Sequence, residues 1–123
     1  KYIEWIISDY SNPIFNKIFQ KQILQILKKN NIKISSISLD FLMREPLFKI
    51  QQDDLDWILF NLKIILKRFK IKRVNIPLEE NSKISNYSDF NNDLSTKKAR
   101  INKKEFLEPM KKYFDFQKIQ TFH

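Results

Sequence analysis

Few side chains in this sequence could do chemistry. The only histidine among 123 residues is His123, and there is no cysteine. Cys/His metal sites and Ser/His or Cys/His triads therefore cannot be assembled. Three carboxylates crowd together at Asp53, Asp54 and Asp56, the kind of cluster a two-metal nuclease uses. Their setting points elsewhere. They stand at the head of an apolar helical run, where an aspartate caps the first turn and its charge suits the positive end of the helix. Glu79, Glu80, Asp89 and Asp93 lie in a polar stretch and read as solvating residues. Glycine is absent altogether, which excludes a phosphate-cradling loop and a dinucleotide fingerprint. No catalytic residue, metal or cofactor is expected, and the chain is not expected to be an enzyme.

Positive charge is plentiful. The chain carries 23 basic and 14 acidic residues, a net charge of +9. An anionic partner is one explanation; a lysine- and asparagine-rich composition of the kind AT-rich codons produce is another. Lys67, Lys70, Lys72 and Arg73 gather where the long helix gives way to a strand, and Lys97, Lys98 and Arg100 return to them if two strands pair. The group offers contact with a nucleic-acid backbone, or a solvated face whose cations stabilise a helix end.

The elements that must hold these residues are read from apolar periodicity. Residues 1–10 suggest a short helix. Asn12 and Pro13 open a helix over 13–29, with Phe15, Phe19, Ile23, Ile26 and Leu27 on its inner side. "IKISSI" predicts a short strand, and Ser38 caps a short helix that stops near Pro46. Asp53 caps the central helix, 53–69. Its core stripe is Leu55, Ile58, Leu59, Leu62, Ile65, Leu66 and Phe69, and Trp57, Phe60 and Ile64 point the opposite way. "IKRVNIPL" predicts a strand ended by Pro77. Residues 79–98 read as a long mobile loop, 99–102 as a return strand and 103–114 as a helix that Pro109 kinks or restarts. Without glycine, turns at positive φ fall to asparagine or aspartate, with Asn30 and Asn31 among the candidates.

This order predicts an α+β fold, mostly α: a single winged helix-turn-helix domain over 1–123, with a small β-hairpin wing and the mobile loop 79–98. A plain helical bundle with a disordered insert is the alternative. No run approaches the length of a membrane span. A winged helix that reads DNA presents polar or basic residues at the start of its recognition helix. Here that start is acidic, and the outward side is Trp57, Phe60 and Ile64, which resemble interface anchors. The terminal segments could equally cover them as core.

"IFNKIFQKQILQILKKNNI" followed by "DDLDWILFNLKIILKRFKIKRVNIP" resembles the first C-terminal winged helix of the Stn-type subunit of the CST telomere complex, over residues 2–78. The composition suits a ciliate, telomerase-associated version. The resemblance implies a nuclear, chromosomal (telomeric) and non-catalytic protein-interaction module that supports telomere synthesis or capping. Its partners would be other subunits of a telomere or telomerase complex, met through Trp57, Phe60 and Ile64. No small-molecule substrate is implied. The alternative function is a nucleic-acid-binding winged helix that uses a basic wing in replication or transcription.

Overall fold

The structure is a computed structural model that describes residues 1–46, 49–80, 82–96 and 108–119. Strands and helices alternate: β1 (Tyr2–Ile6), α1 (Lys17–Lys29), β2 (Lys33–Ser38), α2 (Gln52–Arg68), β3 (Arg73–Glu79), α3 (Tyr87–Thr96) and β4 (Phe114–Ile119). The four strands form one sheet in the order β1-β2-β3-β4, and every neighbouring pair is parallel. This is an α/β fold and not a winged helix. A wing is an antiparallel hairpin joined by a short turn, whereas parallel neighbours need a long crossover, and here each crossover carries a helix. Right-handed crossovers that always step to the next strand leave all helices on one face. Such repetition of one βα step is the winding of a (β/α)8 barrel, seen here over four strands.

One apolar layer joins the helices to the sheet. From α2 it takes Leu55, Ile58, Leu59, Leu62, Ile65 and Leu66, all buried as their spacing predicts, and Phe69 just beyond the helix. From the sheet it takes Ile34, Ile37, Val74, Ile76 and Leu78. In α1 the buried side is Gln20 and Leu27, with Ile23 and Leu24 partly covered, while Ile18, Phe19 and Ile26 face outward. The helix is thus rotated from the expected face. Gln20 turns inward because its amide is satisfied there: Nε2 donates to the Ile14 carbonyl at 2.7 Å, and Oε1 accepts from Arg68 at 3.0 Å. The entry into α1 is also two-step. Asn12 caps a 3-10 turn, Pro13–Phe15, and Asn16 caps the helix proper through the Ile18 and Phe19 amides.

Three further expectations are corrected. Residues 2–6 form a strand because Ile3 and Trp5 alternate with exposed neighbours, and the Trp5 indole donates to Asn12 at 3.0 Å. Residues 87–96 form a helix within the stretch read as a loop. Asn86 accepts from the Asp89 amide at 2.9 Å and Asp89 accepts from the Ser85 amide at 3.0 Å, a reciprocal cap, and Phe90 anchors the helix in the core. The two Ser85 bonds hold the Asp89 carboxyl below its ordinary range. Finally, of the C-terminal helix expected over 103–114, residues 103–107 lie outside the described residues; the rest is a three-residue helix at Glu108–Met110 and a 3-10 turn at Lys111–Tyr113, after which Phe114 opens β4. Phe114 and Phe116 then pack on Phe90, with ring centroids 6.1 and 5.8 Å away. The expected return strand at 99–102 lies outside the described residues.

Pro77 does not end β3, which runs on to Glu79. The β2–β3 ladder stops at Asn75, so Pro77 has a partner strand, β4, on one side only. A missing amide donor is tolerated at such an edge-like position.

Both long crossover helices end on a left-handed residue, Asn31 at φ 52° and Lys70 at φ 56°. The Ile32 amide reaches back to the Leu27 carbonyl at 2.9 Å and the Ile71 amide to Leu66 at 3.0 Å, which closes a Schellman turn in each case. Asparagine visits this region readily; lysine does so against a Cβ clash of about 1–2 kcal/mol. Lys70→Gly is therefore expected to raise unfolding stability by about 1 kcal/mol, read as a higher urea midpoint at unchanged slope.

Candidate functional site

The face of the sheet away from the helices is polar. The ladders align Ile6, Ser38, Asn75 and Asp115 in one row across all four strands. Toward the N-terminal ends of the strands the next row holds Glu4, Ser36 and Arg73; toward their C-terminal ends stand Pro77 and Gln117. Alternation explains the division, because every second residue of these strands belongs to the apolar layer. A fully solvated surface would leave such side chains exposed. Here Ser36 is 2% and Asn75 8% exposed.

Asn75 is the centre of this face. Its Nδ2 donates to Glu4 Oε1 at 2.7 Å. A carboxylate only accepts, so this bond fixes the amide and turns Oδ1 the other way. Oδ1 is buried and has no hydrogen-bond partner among the described residues. A buried acceptor left in that state costs about 1–3 kcal/mol, so it asks for a structural or functional reason. Next to it Ser38 donates to Asp40 at 2.6 Å, and Gln117 donates to Asp115 at 2.9 Å.

The loops that follow β1 and β2 are tied together beside this face. The Phe41 amide donates to the Ile7 carbonyl at 3.2 Å, Arg44 donates to the Ser8 carbonyl, and Tyr10 donates to Glu45 at 2.8 Å. Burial, reinforced by Glu45, pushes the Tyr10 hydroxyl well above its ordinary range. Ser11 holds the Asp9 carboxyl below its usual range by two hydrogen bonds. In parallel α/β sheets ligands meet the chain at the C-terminal ends of the strands, where these loops sit.

The residues singled out in the sequence lie elsewhere. Trp57, Phe60 and Ile64 stand on the solvent side of α2, exposed at 42%, 58% and 42%. Trp57 leans on Phe15 and Tyr10, with ring centroids at 5.0 and 5.9 Å. Asp53 lies in the first turn of α2, but the cap position is Gln51, without a side-chain hydrogen bond. The basic residues divide among several surfaces. Lys70 and Lys72, with Lys28 and Lys33, border a cleft of about 520 Å³ at the N-terminal end of the sheet, floored by Leu27, Ile32, Ile34 and Phe69. Lys67 is exposed on α2 and Arg73 opens β3 on the polar face. Lys97, Lys98 and Arg100 lie outside the described residues, and the hairpin that was to unite them with the others is replaced by parallel strands.

Sequence reasoning missed the polar face. Its signal was present in β3, where "RVNIPLE" alternates polar and apolar residues, but a strand's polar side reads as solvent unless its neighbours are known. Among the described residues no group of three or more His, Asp or Glu side chains is placed to hold a metal ion. No described helix is long and apolar enough to cross a membrane. The chain matches no family model, no curated protein and no solved structure. The resemblance to a telomere subunit rested on two stretches of sequence; the winged-helix fold that it implied is not the fold of this chain.

Proposed function

We propose that this chain binds a small, uncharged, hydroxylated molecule, of the sugar or polyol class, over the polar face of its sheet near the C-terminal ends of the strands. The supporting observation is the buried Asn75, held by Glu4 on one side and with an unsatisfied acceptor on the other, in a row shared with Ser38 and Asp115. Carboxylates accept two hydroxyls each, and an amide both donates and accepts, so the row suits a ligand rich in O–H groups. Glu4, Asp40 and Asp115 outnumber the one cation described on this face, Arg73, and the excess of negative charge disfavours an anionic ligand such as a phosphate or a nucleic-acid strand. This reading replaces the expectation of no small-molecule ligand.

Amide chemical shifts recorded while a panel of pentoses, hexoses and polyols is added will test it. Perturbations should centre on Ser38, Asn75 and Asp115. Asn75→Leu, close in volume but without the amide, should weaken binding by about tenfold or more, as expected when one or two hydrogen bonds to a buried group are lost. Perturbations that avoid this face, or equal affinity in the leucine variant, would remove the proposal.

A further inference from the structure

The solvent side of α2 carries an ordered pattern that the sheet does not use. Asp53, Trp57, Phe60, Ile64 and Lys67 follow one another at spacings of four, three, four and three. All five are exposed. This is the heptad spacing of a coiled-coil seam, laid on the side of the helix opposite its buried stripe. The seam is apolar in the middle, acidic at the start, where Asp54 joins Asp53, and basic at the end.

We infer that α2 pairs with α2 of a second copy of this chain, antiparallel, about a two-fold axis beside Phe60. The pattern is complementary to itself only in that direction. An antiparallel partner sets Asp53 of one copy opposite Lys67 of the other, twice, and Trp57 of each opposite Ile64 of the other. The two Phe60 side chains meet at the axis. A parallel partner would place acid on acid and base on base. Charge order therefore selects both the orientation and the partner, since a two-fold contact presents the same patch from both sides. The helix dipoles add to the preference, because each negative helix end then lies beside a positive one. Phe60 is the central anchor, and the charged pairs form the rim that sets register.

Sedimentation equilibrium over a concentration series tests this pairing. The wild-type chain is expected to dimerise reversibly. Phe60→Glu should raise the dissociation constant about 30-fold or more, as loss of a central anchor does. Asp53→Lys and Lys67→Asp each place like charges at both ends of their own dimer and should weaken it several-fold. Mixed with one another they should form a heterodimer of near wild-type strength, because each end regains an opposite pair. These rim substitutions lie on the surface, so they decide the matter even if Phe60→Glu fails to fold. A monomer at every concentration overturns the inference. So does a dimer indifferent to Phe60 and to the charge reversals, which would instead be joined through another surface, such as the sheet edges at β1 and β4.

Discussion

Phe90→Ala is expected to destabilise the protein by about 3–5 kcal/mol. Phe90 lies in a polar segment, yet it is 1% exposed and packs its ring against Phe114 and Phe116 of β4. Truncation removes the apolar side chain that ties α3 to the sheet and leaves a cavity beside the Phe114 and Phe116 rings. Urea unfolding followed by far-ultraviolet circular dichroism measures the loss. A midpoint within error of wild type would show that residues 87–96 contribute no packing, as a mobile loop would predict. A loss of the expected size ties α3 and β4 into the same cooperative unit as α2.

Leu62→Ala should cost about 2–5 kcal/mol, whereas Phe60→Ser, two residues earlier, should change the stability of the monomer by no more than about 0.5 kcal/mol. Leu62 is 0% exposed within the apolar layer, and Phe60 is the most exposed of the three large apolar residues on the outer seam. The contrast separates the two sides of one helix. Chemical denaturation at protein concentrations low enough to keep the chain monomeric reads it directly. Equal losses would make Phe60 part of the core and remove the outward seam. A small loss for Leu62 would mean that the inner stripe does not carry the fold.

The elements differ in how far local sequence could reveal them. α2 was legible because seven apolar positions at helical spacing leave little choice of structure. β2 was legible from its β-branched residues. β1 was not, since "YIEWII" alternates for only four residues before Ile6 and Ile7 break the pattern. β4 was hidden by its neighbourhood: "FDFQ" alternates cleanly, but Pro109, Met110 and Tyr113 drew it into a helical frame. α3 has a readable cap in Ser85, Asn86 and Asp89, yet its buried anchor is a single phenylalanine, too little for periodicity to register. With β1 and β4 missed, the alternation that announces a parallel sheet could not be seen, and the winged helix followed from the elements that remained. The outward direction of Trp57, Phe60 and Ile64 was readable because it depends on helix geometry alone. The Asn75 row was not, because it needs the register of four strands brought together from 110 residues of chain, Ile6 to Asp115. Asn31 could be anticipated as a left-handed turn residue; Lys70 could not, because nothing in its side chain favours that conformation.

The strand order has a consequence for how the protein is made. Each strand after β1 lies beside the one synthesised before it, so from β2 onward a partner is already in place when a strand emerges. A chain leaving the ribosome can therefore add one strand–helix step at a time to a template already in place, so that assembly follows the direction of translation. Each newly added strand is the exposed edge until the next one emerges. The interval between them is when unpaired backbone is open to capture by another nascent chain.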